Sequence, residues 1–344
     1  MLAEGQPKPA TGTTMRFHHF EDLEPGQEFT GGPITATREA MVAFAREFDP
    51  QPFHLDEVAA KATFVGTLIG SGWQTACYGM RLLADGLMLQ SSSMGSPGID
   101  ELRWLKPVLP GDTLSATIRV EETRPSSSKP DRGFVRFKLT ITDGGGEPVM
   151  TQAFSVMFAR RGHTPAPRSV TFEEKPFEPV READDAVPLP FLGEAEIGAS
   201  RDLGQHRFEP DAIIAFAKVY DPQIFHTDAA AARETHFGGL CASGWHTAAV
   251  WMKRLHATWA RDMRLTAKHG PVPQLGPSPG FRNMRWLRPV YAGDTLRYAT
   301  KLVGARASTS RPGWGLAHHH NTAENQRGEP VFEFTGSVFW QWSA

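Results

Sequence analysis

The sequence predicts an α+β protein made of two tandem copies of one unit, each an antiparallel sheet wrapped around a central helix, the two packed as a pseudo-dimer within the chain. Three observations predict it. The chain repeats itself: FAREFDPQPFH, from Phe44 to His54, returns as FAKVYDPQIFH from Phe216 to His226, 172 positions on, and SGWQTA at Ser71 returns as SGWHTA at Ser243. The first copy holds one run of helical length that is apolar nearly all round, WQTACYGMRLLADGLML, and Gly244 opens a helix at the matching place in the second. Each then continues as short strand-like segments divided by turns rich in Gly, Pro and Ser.

The repeat also sets the boundaries. PGIDELRWLKPVLPGDTL at Pro97 matches PGFRNMRWLRPVYAGDTL at Pro279, so the displacement has grown to 182 and the second copy has gained ten residues. The gain falls between Trp245 and Pro279, where RLTAKHGPVPQLGPS suggests an enlarged loop after a helix. Later matches, SSSKP at Ser126 with STSRP at Ser308 and GEPV at Gly146 with GEPV at Gly328, keep the new displacement. We therefore expect one domain over 16–162, a Pro-rich and charged linker over 163–190, and a second domain over 191–344. The first fifteen residues read as a floppy leader.

Within a copy, the elements follow in order. Met41, Val42, Ala45 and Phe48 recur at helical spacing, which predicts a helix over about 37–48. Pro50 and Pro52 stop it and leave DPQPFH as a loop. Asp56 is placed to cap a short helix EVAAKAT, and Ser71-Gly72 precedes the run WQTACYGMRLLADGLML, apolar nearly all round as a helix wrapped on several sides would be. Strands are expected near Ile99 to Leu105, Thr113 to Glu122, Gly133 to Thr142 and Val149 to Phe158, and in the second copy near Phe281, Thr295, Gly315 and Val331. One helix enclosed by an antiparallel sheet is the hotdog arrangement.

Composition excludes several classes. The 36 basic and 38 acidic side chains of this 344-residue chain leave a formal net charge of −2, so no global field draws it to nucleic acid or an anionic membrane. Two cysteines, Cys77 and Cys241, are too few for a disulfide framework and lack zinc spacing, which fits a reducing, cytoplasmic setting. No signal peptide or membrane span is expected.

The residues that carry chemistry are Asp49 and His54, and their repeats Asp221 and His226, each pair followed eighteen residues after the histidine by Gly72 or Gly244. DPQPFHLDEVAAKATFVGTLIGSGW resembles the hydratase motif of the MaoC-like (R)-specific enoyl-CoA hydratase/dehydratase family, over nearly all of each half. That resemblance implies a tandem, double hotdog fold, an acyl-CoA or acyl-carrier-protein thioester substrate, no cofactor and no metal. It assigns acid/base chemistry to the Asp/His pairs and oxyanion contacts to Gly72 and Gly244. Adding water to a double bond conjugated to a thioester needs a base at the β-carbon, an acid at the α-carbon, and amides for the charge on the thioester oxygen. The chain departs from the pattern at Gln51 and Gln223, where Asn is usual, at Ile224 in place of the second proline, and at Met80 and Met252, where some relatives use a water-holding serine. Eukaryotic double-hotdog relatives have lost the motif in one half; both are kept here, and two active sites are expected.

Other residues take plainer readings. Asp56 and Asp228 read as helix caps, as do Ser71 and Ser243, which lie in no nucleophile elbow. Arg103, Lys106, Arg285 and Arg288 are solvated strand ends before they are phosphate ligands. His318, His319 and His320, adjacent on a strand, alternate faces and do not converge on a metal. Trp73 and Trp245 read as core or pocket wall. A hotdog thioesterase, with water directed at the carbonyl, and a non-catalytic acyl-thioester-binding protein remain the alternatives, and assembly of the pseudo-dimer into larger homo-oligomers is left open.

Overall fold

The computed structural model describes residues 17–170, 182 and 185–344; the expected leader and part of the expected linker lie outside the described residues. In the first copy, strand β1 (Glu28–Thr35) leads to helices α1 (Arg38–Phe48), α2 (Pro52–Leu55), α3 (Glu57–Lys61) and α4 (Gly72–Gly86), then to β2 (Gly98–Trp104), β3 (Thr113–Pro125), β4 (Arg132–Thr142) and β5 (Pro148–Ala159). The second copy repeats the order as β6 (Ser200–Arg207), α5 (Pro210–Tyr220), α6 (Ile224–Thr227), α7 (Ala229–Arg233), α8 (Gly244–Thr266), β7 (Gly280–Trp286), β8 (Thr295–Ala307), β9 (Trp314–Asn325) and β10 (Pro330–Gln341). This is the double hotdog expected from the sequence.

All ten strands form one sheet, ordered β1-β3-β4-β5-β2-β7-β10-β9-β8-β6. The two halves meet at its centre, where β2 and β7 run antiparallel with Gly98 opposite Arg285 and Arg103 opposite Gly280. A Cβ on Gly98 would run into the Met284 carbonyl oxygen, and one on Gly280 into that of Leu102, so the close approach of the halves needs glycine at both places. This explains the repeated Pro-Gly at Pro97 and Pro279.

Local chemistry sets each element. Thr37 caps α1 by accepting the Ala40 amide, and Asp56 caps α3 by accepting those of Val58 and Ala59. The DPQPFH segment is more ordered than the loop expected: Pro52, whose missing N–H and fixed φ suit a first helical position, starts the single turn α2 that carries His54. Alternation buries Val135, Phe137, Leu139 and Ile141 along β4 against α4, whose Trp73, Ala76, Cys77, Leu82 and Leu83 are buried around its girth. Each large apolar side chain so buried stabilises the fold by roughly 1.5–3 kcal/mol.

Two expectations are corrected. The ten-residue gain was expected as a loop; much of it lengthens the helix, since α8 has 23 residues against 15 in α4. Strands β1 and β6 were not expected at all, because TGGP in the one and LGQHR in the other carry glycine or polar residues that read as turn. Among the described residues, no helix is long and apolar enough to cross a membrane.

Candidate active site

Helix α1 ends at Asp49, whose N–H still bonds the Ala45 carbonyl, and Pro50 follows at once. The next turn, α2, swings His54 back so that its Nε2 lies 3.3 Å from Asp49 Oδ2. The opposite ring nitrogen, Nδ1, lies 2.9 Å from the Ile69 carbonyl oxygen. A carbonyl only accepts, so Nδ1 carries the proton and Nε2 is the nitrogen left to exchange one. Asp49 is fixed from two further sides: Gln51 Nε2 donates to Oδ1 at 2.8 Å and Ser71 Oγ donates to Oδ2 at 2.7 Å. Both members of the pair are almost fully buried. Burial by itself would raise the Asp49 carboxyl, but the charge and hydrogen bond of His54 and the donors Ser71 and Gln51 outweigh it and hold the group below the usual aspartate value.

The second copy rebuilds this geometry. His226 Nε2 lies 3.4 Å from Asp221 Oδ2, His226 Nδ1 is 2.7 Å from the Cys241 carbonyl, and Gln223 and Ser243 donate to Asp221 at 2.9 and 2.6 Å. Ile224 in place of proline leaves α6 as the same single turn, with the Ile224 side chain largely exposed. Gln51 and Gln223, which depart from the family's Asn, reach their aspartates. Ser71 and Ser243 do cap α4 and α8, accepting the Trp73 and Trp245 amides, but they also bind the aspartates, which the sequence reading had not assigned to them. The fixed distance between DPQ and SGW in both copies was the signal for it. Burial pushes the Cys77 and Cys241 thiols well up, so neither supplies a thiolate.

Gly72 and Gly244 open the two central helices, where first-turn amides have no intrahelical acceptor and the helix dipole is positive. Glycine is needed there for a reason visible only in the fold. A Cβ on Gly72 would stand 2.7 Å from Trp104 Cε2, and Trp286 crowds Gly244 in the same way. The indoles also bond the glycine carbonyls, Trp104 Nε1 to Gly72 at 2.8 Å and Trp286 Nε1 to Gly244 at 3.1 Å.

Each pair opens on a cleft whose far wall comes from the other half. Asp49, His54 and Gly72 line a cavity of about 350 Å³ closed by Trp251, Leu255, Phe281 and Phe334. Asp221, His226 and Gly244 line one of about 310 Å³ closed by Met80, Leu83, Phe154 and Val156. Met252 and Met80 thus line the clefts of the opposite halves' pairs. Trp73 and Trp245 are both wall and core. Of the four basic residues considered for phosphate, Lys106 and Arg288 line the two clefts, Lys106 paired with Asp143 at 2.5 Å and Arg288 bonded to the Pro330 carbonyl at 2.7 Å. Arg103 and Arg285 instead lie on the exposed surface near Glu101 and Glu333. Asp228, like Asp56, caps the next helix. His319 lines the first cleft, whereas His318 bonds Ser337 and His320 lies near Glu333.

Comparison with known proteins agrees with this architecture. A family model described as MaoC like domain matches residues 21–140 and again 193–315. An uncharacterised Bacillus subtilis protein, YdeM, is 30% identical over 111 residues, covering 32% of this chain and 78% of that protein. A MaoC domain protein from Chloroflexus aurantiacus superposes with a TM-score of 0.75 at 18% identity, covering 97% of this chain and 100% of that one. A Mycobacterium tuberculosis protein described as a double hotdog fold superposes at 0.69 with 16% identity, covering 95% and 99% of the two chains.

Proposed function

The chain belongs to the MaoC like domain family, and from that premise we propose that it is a hydro-lyase that interconverts a trans-2-enoyl thioester and water with the 3-hydroxyacyl thioester, of (R) configuration. The observation that carries this reading is the duplicated buried pair, Asp49/His54 and Asp221/His226, each set beside the start of a buried helix in an apolar cleft. With Nδ1 committed to a backbone carbonyl, His54 Nε2 and the Asp49 carboxylate together hold one water, and the Asp49 carboxylate takes its proton as its oxygen bonds to C3. The electrons of the C2–C3 double bond move toward the thioester oxygen, which the Gly72 amide and the α4 dipole stabilise. The proton then passes to C2, so that water is added across the bond with nothing left over. Burial makes these few polar groups effective, because no bulk water competes with them. The step draws on no metal or organic cofactor. The thioester carrier is coenzyme A or an acyl carrier protein, and Lys106 and Arg288 along the clefts suit its phosphates.

The test is a panel of enoyl-CoA substrates scored by loss of the conjugated chromophore and by chirality of the product. Hydration that falls by about 10²–10⁴-fold when Asp49→Asn and Asp221→Asn are combined supports the proposal. Unchanged turnover in that double variant overturns it, and free thiol released from a saturated acyl-CoA, with enoyl substrates untouched, points to a thioesterase instead.

A further inference from the structure

Strands β8, β9 and β10 repeat β3, β4 and β5 residue for residue at a displacement of 182, with the same cross-strand partners. In the first half Ile118 faces Leu139 and Phe137 faces Phe154, all four fully buried, with the two phenyl rings stacked 5.7 Å apart. At the matching places in the second half stand Thr300 facing Asn321 and His319 facing Gly336. Four apolar positions have become three polar ones and a glycine. Burying polar groups in a core position costs stability unless they find partners, so the exchange asks for a reason.

The replaced positions open toward the cleft of Asp49 and His54. Thr300, His319, Asn321 and Gly336 all line it, whereas the other cleft is bounded by Phe154 and touches none of Ile118, Phe137 and Leu139. A Cβ on Gly336 would meet Phe334 Cε2 at 3.1 Å and Asn321 Nδ2 at 3.4 Å, so a larger side chain there would crowd that amide. Thr300 Oγ1 donates to Asn321 Oδ1 at 2.7 Å and Asn321 Nδ2 donates to the His319 carbonyl at 3.1 Å, which orients the amide and leaves it one N–H to spend. The His319 ring lies against Trp340, with planes 14° apart, and among the described residues neither of its nitrogens has a hydrogen-bond partner. Burial pushes its pKa down to about 4, so it enters the cleft as a neutral imidazole with one donor and one acceptor.

We propose that the cleft of Asp49 and His54 takes 2-enoyl thioesters whose acyl tail carries an uncharged oxygen function, a hydroxyl or a ketone, bonded by His319 and Asn321 beside Gly336. The cleft of Asp221 and His226, stopped by Phe154, takes plain short acyl chains. This inference rests on the hydratase reading for its substrate class. A neutral imidazole and an amide offer a matched donor and acceptor to a neutral oxygen but no full charge to a carboxylate, and a plain alkyl tail would leave both unpaired.

The experiment uses the full chain carrying Asp221→Asn, so that turnover reports the first cleft, and pairs of enoyl-CoAs that differ only in a hydroxyl or ketone on the tail. The oxygenated member is expected to have the higher kcat/KM by at least about tenfold. Asn321→Leu and His319→Phe, which restore the first half's chemistry, are expected to erase that preference, and Gly336→Phe to lower turnover of the oxygenated member by at least about tenfold. Folding of each variant is checked by turnover at the second cleft with Asp221 restored. Equal kcat/KM within every pair, or a preference that survives Asn321→Leu, overturns the inference. If no enoyl-CoA is hydrated, the proposed function falls separately. Calorimetric titration with the saturated pairs then decides: tighter binding of the oxygenated member, lost in Asn321→Leu, upholds the polar subsite, and equal affinity rejects it.

Discussion

Ser71 donates its hydroxyl proton to Asp49 Oδ2 at 2.7 Å while the same oxygen accepts the Trp73 amide at 3.2 Å. One side chain thus ties the carboxylate to the first turn of the helix that opens at Gly72, and Ser243 does the same for Asp221. Any shift of α4 therefore moves Asp49 and the Gly72 backbone together.

Ser71→Ala removes one of the interactions that hold the Asp49 carboxyl low, so its pKa rises. In the Asp221→Asn background kcat is expected to fall about 10–100-fold with KM little changed, and the acid limb of the kcat/KM profile to move to higher pH. A pH profile with an unmoved acid limb would leave Ser71 only a helix cap; Ser71→Thr, which keeps the hydroxyl, restores the wild-type profile.

Gly72→Ala places a methyl group 2.7 Å from Trp104 Cε2 and 3.0 Å from its Nε1. Overpacking of this kind costs about 1–3 kcal/mol, read as a lower urea midpoint. The smaller ring of Trp104→Phe is expected to recover part of that loss in the double variant, even though it gives up the bond to the Gly72 carbonyl. A double variant no more stable than the sum of the two singles would mean that the indole is not what requires the glycine.

Much of this was legible in the sequence, for physical reasons. The repeat, the Asp/His spacing and the caps at Asp56 and Ser71 are local, so residue type and distance along the chain suffice to find them. The β2–β7 seam is a long-range pairing, and only it shows that each pair is walled by the other half. The added helical turns of α8 were hidden because Gly and Pro after Thr266 drew attention to the loop that follows. Three adjacent histidines are visible in the sequence, but the cavity that His319 enters is not.

Several histidines make stability depend on pH. Burial pushes the pKa of His246 down to about 3 and those of His206 and His236 to about 4, against an ordinary value of 6.5 in the unfolded chain. The unfolded state therefore binds more protons between those values, so stability is full above about pH 6.5 and is lost as pH falls toward 4. His246 stacks on Phe216 at 4.5 Å, and among the described residues its Nδ1 has no hydrogen-bond partner. His246→Phe keeps the stack and is expected to flatten the decline, on the order of 1 kcal/mol per pH unit at one buried site. Urea midpoints at pH 7 and pH 5 for both proteins measure it; parallel declines would assign the acid sensitivity elsewhere.

The crossed walls make a directional prediction. Trp251 belongs to the second half, yet it packs on Trp73 at 5.6 Å and on Phe334 at 4.7 Å and lines the cleft of Asp49 and His54. Trp251→Phe shortens that wall while keeping an aromatic edge, so KM for the Asp49 site should rise several-fold, roughly what a lost apolar contact of 1 kcal/mol gives. The Asp221 site, isolated with Asp49→Asn, should stay within about twofold, because a 1.4 kcal/mol change is tenfold and Trp251 does not line that cleft. Kinetics of the two single-site backgrounds separate the cases. An equal loss at both sites would show that Trp251 acts through stability of the shared sheet, and a loss confined to the Asp221 site would contradict the crossed arrangement.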